Sequence, residues 1–212
     1  MAGRWERYAG LVLAAGASRR LGGMPKALVE LDGRTAVERV LDQLSRAGVE
    51  PVAVVVGAHA EAIARHLRGR PVAVVVNPDW ERGRTGSVHA GLEWAGAADG
   101  VVLAPVDHPF FRASTVQRTA DVGRSDPLAL WISPTFGGRG GHPVLVKAAA
   151  FGPIRSLGPD APLRTVPAHL GVQARRLEVD DAGVVLGTDT MEEVRRGREY
   201  LRNDGRGPWI VD

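Results

Sequence analysis

Four short apolar runs punctuate the first half of the chain: "AGLVLAA" (9–15), "PVAVVVG" (51–57), "PVAVVVN" (71–77) and "GVVLAPV" (100–106). They are rich in valine, lack polar alternation and are bounded by Gly, Pro or Asp. That pattern predicts strands buried on both faces, as in a parallel sheet. The segments between them have helical spacing. "TAVERVLDQLSRAG" (35–48) places Val37, Val40, Leu41 and Leu44 on one face, and Gly48 suits a C-terminal stop. "HAEAIARHLRG" (59–69) and "GSVHAGLEWAG" (86–96) read the same way. The alternation of strand and helix predicts right-handed crossovers and a doubly wound, mostly parallel α/β sheet. Further on, 128–133 and 142–147 read as strands flanking "PTFGGRGG", a glycine-rich loop. Residues 161–170 are a short helix candidate, 174–180 alternate like an edge strand, and 190–203 form the last helix. No internal repeat is evident.

Length and composition narrow the classes. The 212 residues suit one domain, with a core from about 9 to 201 and a loosely attached tail at 203–212. A net charge of +3 speaks against a nucleic-acid coat. With no cysteine, disulfides, thiolate metal sites and a cysteine nucleophile are excluded. No apolar run approaches the ~20 residues that span a bilayer. "MAGRWERYAG" lacks the apolar stretch of a signal peptide. The expectation is a cytoplasmic protein with neither membrane nor nucleic-acid partners. Lysine occurs only at positions 26 and 147, so a lysine in the first loop stands out.

That loop lies in "LVLAAGASRRLGGMPKAL" (11–28). In open α/β sheets ligands bind beyond the carboxyl ends of the strands. Glycines there expose backbone N–H groups, and Arg19, Arg20 and Lys26 add positive charge, as a polyphosphate cradle requires. It is not a P-loop: five residues separate Gly16 from Gly22, and Gly23 follows. It is not the dinucleotide fingerprint either, because the second strand ends in "VVVGAH" without a carboxylate. The plain alternative is a solvated basic turn. Asp107, in "VVLAPVDHP", ends the fourth strand on the same edge, or is an ordinary turn residue. Asp189, in "LGTDTMEE", is either a second carboxylate or part of a helix cap. In the second case Thr188, Asp189 or Thr190 would pair with Glu192 or Glu193 in a capping box. A basic loop with two carboxylates is the set that Mg²⁺-dependent phosphoryl chemistry uses. Ser87 either caps the third helix or helps to hold a base or ribose. His142 reads as a strand-start residue and carries no catalytic assignment.

Taken together, "LAAGASRRLGGMPK", "GRTGSVHAGL", "DHP", "GGRGGHPV" and "DTMEE" resemble, in order, the blocks of the MobA-like nucleotidyltransferases. These include the molybdenum cofactor guanylyl- and cytidylyltransferases. The resemblance spans about 9–201 and implies a Rossmann-like nucleotidyltransferase fold. It also implies attack by an acceptor's phosphate monoester on the α-phosphate of a nucleoside triphosphate, with loss of pyrophosphate. By position, Asp107 matches the principal Mg²⁺ ligand and Asp189 the second. Arg20 and Lys26 match the groups on the triphosphate, and Arg20, Lys26 and Asp107 make the catalytic set. Leu13, Ala14, Ala15 and Gly16, with Gly86 and Ser87, match the nucleotide-binding segments. Gly140, Gly141 and His142 match the acceptor side. Arg84 stands where the family pattern usually has Met.

The resemblance divides on the base. Leu13-Ala14-Ala15-Gly16 follows the cytidylyl pattern, whereas the spacing of "GGMPK" is closer to the guanylyl one. The balance favours CTP as donor and molybdopterin as acceptor, with a molybdoenzyme or its chaperone as the implied protein partner. The alternatives are a guanylyl- or other NTP transferase with a different phosphorylated acceptor, and a nucleotide-binding regulatory domain without turnover.

Overall fold

The computed structural model describes residues 7–169 and 174–205. The expected strands form β1 (Tyr8–Ala14), β2 (Val52–Val56), β3 (Ala73–Val76) and β4 (Gly100–Pro105). β5 (Trp131–Phe136), β6 (Val144–Lys147) and β7 (Ala174–Glu178) follow. They lie in the order β7-β5-β6-β4-β1-β2-β3, and the two-residue strand Arg139–Gly140 pairs with β5. Neighbours along this path are parallel except at β6, which runs antiparallel to both β4 and β5. This is the mostly parallel α/β sheet that the sequence predicts.

The helices are α1 (Ala36–Arg46), α2 (Ala60–His66), α3 (Arg84–Ala95), α4 (Ala113–Ser125), α5 (Phe151–Arg155) and α6 (Met191–Arg202). The two-residue period of the strands divides the core between two faces. Val52, Val54 and Val56 join the layer under α1, α4 and α6. Ala53, Leu11 and Leu103 join the layer under α3 and α5. Each fully buried Val or Leu contributes about 1.5–3 kcal/mol. The start of α1 is fixed by a capping box between Thr35 and Glu38, and Gly48 takes φ 76° just past its end. Among the described residues no helix is long and apolar enough to cross a membrane.

Four expectations need correction. β3 is an edge strand, so Val74 and Val76 are exposed instead of buried on both faces. The strand expected at 128–133 begins at Trp131 and continues through Pro134 to Phe136. Much of "PTFGGRGG" is therefore a hairpin, with Thr135 opposite Gly140 and Phe136 opposite Arg139. Gly137 and Gly138 form its tip at φ 56° and 78°, the left-handed pair that a two-residue hairpin turn requires. Finally, α4 had no counterpart in the sequence reading. In the 161–170 segment, a turn at Leu163–Thr165 leads into a short helix at Val166–His169. Its last residue and the tail from 206 lie outside the described residues.

Asp181 ties the loop before α6 to α4. Its buried carboxylate accepts from the N–H of Arg112 (2.8 Å), the hydroxyls of Thr115 (2.6 Å) and Tyr200 (3.0 Å), and the N–H of Gly183 (3.1 Å). Burial, with the Asp181 charge beside it, pushes the Tyr200 phenol up. Asp181→Ala strands four donors and is expected to cost about 2–3 kcal/mol, read by urea denaturation. A loss below about 0.5 kcal/mol would show that these donors find other partners.

Candidate active site

β1 and β4 are adjacent and parallel, with Leu13 opposite Pro105, so their following loops open on the same edge of the sheet. The loop after β1 is braced by Ser18, which is buried and left-handed at φ 54°. Its Oγ accepts from the Lys26 N–H at 3.0 Å, and its carbonyl accepts from the N–H groups of Leu21 and Gly23. The basic loop is thus folded back on itself, with Lys26 delivered over the end of β4.

Lys26 joins the two candidate carboxylates. Its Nζ donates to Asp189 Oδ1 and lies 3.7 Å from Asp107 Oδ2. Arg20 reaches the other oxygen of Asp189 at 3.4 Å, and Arg84 lies 3.9 Å from Asp107. The hydrogen bond from Lys26 holds the Asp189 carboxyl below the usual range, with the Lys26 and Arg20 charges adding to it. Asp189 is not the cap of α6. Thr190 is the N-cap of α6 and Glu193 completes the box, so the Asp189 carboxylate is left for Lys26. The other lysine, Lys147, is buried and donates to the Gly123 carbonyl, away from the site.

Two cavities meet here. The first, about 580 Å³, is lined by Leu13, Ala14, Ala15 and Gly16, with Lys26, Ser87 and Asp107. A Cβ on Gly16 would enter open space, so the backbone there faces the cavity bare. Ser87 is not a cap, because α3 already begins at Arg84. It is buried and accepts from Asn77 Nδ2 at 3.0 Å. Gly86 is not part of this wall: its N–H donates to the Pro159 carbonyl, and a Cβ would meet Pro159. Arg20 lies outside the cavity and approaches through Asp189.

The second cavity, about 780 Å³, is more apolar. Trp131, Leu103 and Leu163 line it together with Gly140, Gly141 and His142. Gly141 has no spare room or donor, since a Cβ would strike Val184 and its N–H goes to the Pro134 carbonyl. His142 packs against His108 at 4.7 Å between ring centroids with the rings tilted by 50°, and both Nδ1 atoms are buried without a partner among the described residues. Burial lowers both rings, and the neighbouring His108 helps to carry His142 to about 3. The unfolded chain therefore binds a proton on His142 below about pH 6.5 that the folded chain refuses. Stability should be full above that pH and fall on acidification towards pH 3, by about 1.4 kcal/mol per pH unit from His142, with His108 adding in the same direction. Urea titrations from pH 4 to 7 should show a shallower slope in His142→Gln; an unchanged slope would contradict this.

Among the described residues no three His, Cys, Asp or Glu side chains are placed to hold a metal by themselves. Asp107 and Asp189 nevertheless converge on one ammonium. A divalent cation that takes one or two protein carboxylates, with phosphate oxygens and water, fits this donor set.

Residues 10–189 match the model of the MobA-like NTP transferase domain. The chain belongs to that family. It is a nucleotidyltransferase of the MobA-like type. It is 30% identical to a molybdenum cofactor guanylyltransferase of Cereibacter sphaeroides, covering 93% of this chain and 99% of that one. It is also 30% identical to a nicotine blue oxidoreductase of Paenarthrobacter nicotinovorans, over 88% and 94% of the two chains. Among solved structures, Rv0371c of Mycobacterium tuberculosis H37Rv matches with a TM-score of 0.80 and 30% identity, covering 91% and 98%. A complex of Rv0371c with manganese matches at 0.76 and 26%, covering 92% and 100%.

Proposed function

We propose that this MobA-like protein transfers a nucleoside monophosphate, with CTP the favoured donor, to a phosphate monoester acceptor of the molybdopterin type, releasing pyrophosphate. The observation that carries this is the approach of Lys26 to Asp107 and Asp189 at the mouth of the nucleotide-sized cavity. The loop from Leu13 to Gly16 would lie beside the base and ribose, with Ser87 held by Asn77 at the same wall. Lys26 and Arg20 would hold the triphosphate, and Asp107 and Asp189 would hold Mg²⁺. Bound there, Mg²⁺ supplies charge neutralisation to the phosphates and the leaving pyrophosphate. The manganese complex of Rv0371c supports a divalent ion on this fold.

The acceptor's phosphate is largely dianionic at neutral pH, so no side chain has to take a proton from it. The barrier is repulsion between anions, which fixed cations lower without reorganising. For the base, Ala15, which lines the cavity, stands where the guanylyl pattern has glycine, and this is what favours a pyrimidine. The Cereibacter relative's name points the other way.

The test is pyrophosphate release with each of CTP, GTP, ATP and UTP, Mg²⁺ and a panel of phosphate monoesters. Release that needs both metal and acceptor, fastest with CTP, is expected. Faster release with GTP would move the base assignment to guanine. Tight NTP binding with no release would favour the regulatory domain. The Paenarthrobacter relative favours a second reading, a redox enzyme on the same scaffold. It requires electron transfer to or from a substrate and no pyrophosphate.

A further inference from the structure

We infer that Arg84 is the bridge between donor and acceptor, gripping the acceptor's attacking phosphate and the donor's α-phosphate at once. This rests on the nucleotidyltransfer reading above. Leu13, Arg84 and Pro105 line both cavities, and of these three only Arg84 is charged. Its guanidinium lies 3.9 Å from Asp107 and its side chain is 65% exposed, so it stands at the open junction, with no other ion pair among the described residues. The other arginine of the acceptor cavity, Arg176, is already bonded to the Gly138 carbonyl. The acidic group in that wall is Asp160.

The backbone under Arg84 is pinned. Gly83 adopts φ 141° so close to the Pro159 carbonyl that a Cβ would overlap it. Thr85 Oγ1 donates to the Ala161 carbonyl at 2.6 Å, and the Gly86 N–H donates to the Pro159 carbonyl at 3.3 Å. Residues 160–162 also line the acceptor cavity. The first turn of α3 therefore ties Arg84 to the acceptor wall while its side chain faces Asp107. A planar guanidinium can serve two phosphates through its fork, which neither an uncharged side chain nor a point charge reproduces.

In the step it serves, an acceptor phosphate oxygen forms a bond to the α-phosphorus. The bond from that phosphorus to the α–β bridging oxygen breaks, and the electron pair leaves with pyrophosphate. Total charge is equal on both sides, and no proton moves.

The test uses the full chain, Mg²⁺ and a saturating α,β-methylene analogue of the preferred NTP, with inorganic phosphate as the acceptor probe. In the wild type, phosphate should raise the melting temperature beyond the shift given by the analogue. In Arg84→Met the analogue's shift should shrink without disappearing, because Lys26 and the metal still hold the triphosphate, while phosphate affinity falls about 10–100-fold. Arg84→Lys should recover part of it. An equal phosphate increment in wild type and Arg84→Met would overturn the inference, as would no increment in the wild type. Loss of the analogue's shift in Arg84→Met with the phosphate increment intact would overturn it too. Absence of any analogue shift in the wild type would instead overturn the nucleotidyltransfer reading itself.

Discussion

Asp107→Ala is expected to lower turnover at least about 10²–10³-fold, the usual loss when one preorganised charge contact at a transition state is removed. Both Lys26 and Arg84 approach this carboxylate, at 3.7 Å and 3.9 Å. Its removal leaves two cations facing each other and takes away the carboxylate proposed to hold the metal at the end of β4. The fold should survive. The contacts that hold the neighbouring loop are made to the Asp107 main-chain oxygen, which accepts from Thr188 N–H at 2.9 Å and Thr188 Oγ1 at 3.3 Å. Alanine keeps that oxygen. A melting temperature within a few degrees of wild type, together with the loss of turnover, is the expected pair of readings. Near wild-type turnover would remove Asp107 from the metal site.

Lys26→Met should reduce turnover by a similar ~10²–10³-fold, yet bind a divalent ion more tightly in the absence of nucleotide. Without substrates the ammonium contacts Asp189 and lies near Asp107, so it neutralises the carboxylates that the cation needs. At about 4 Å a unit charge is worth about 4 kcal/mol at an effective dielectric of 20. Part of that is offset by solvent, since Asp189 is 38% exposed. A gain of about tenfold or more in Mn²⁺ affinity, read from the free-ion EPR signal, is the expected result. Unchanged affinity would mean that Lys26 and the metal do not share these carboxylates. Opposite signs for turnover and metal binding separate this role from a general loss of structure.

The parts of the site that proved legible are those where backbone and chemistry coincide. The runs that became β1 and β4 are buried on both faces, so they contain no polar residue to confuse the strand pattern, and Asp107 follows directly. The basic loop was visible for its glycines and its isolated lysine. What joined Lys26 to Asp189, 163 residues away, was not a local signal. α4 escaped because its buried face holds Thr115, Thr119 and Gly123 beside Val116 and Ala120, so it has no strong apolar stripe. β3 was misread because a valine run looks the same at an edge as in the centre. Asp181 gave no warning, since three of its four donors come from α6, α4 and the residue preceding α4. Ser18 was hidden among the loop residues until its left-handed backbone and its bond to Lys26 were seen. Gly86 matched a motif, and its N–H goes to the Pro159 carbonyl.

The most direct test of the central claim is the thermal shift of wild type and Asp107→Ala with CTP, GTP, ATP or UTP, each with and without Mg²⁺. A ligand at 100 times its Kd stabilises by about 2.7 kcal/mol, or about 5–10 °C for a chain of this size. The wild type should shift with Mg²⁺ and a nucleotide together, most with CTP, and the shift should shrink without the metal and in Asp107→Ala. No shift with any nucleotide, or the same shift in Asp107→Ala and without Mg²⁺, would contradict a metal–triphosphate site at the carboxyl ends of β1 and β4.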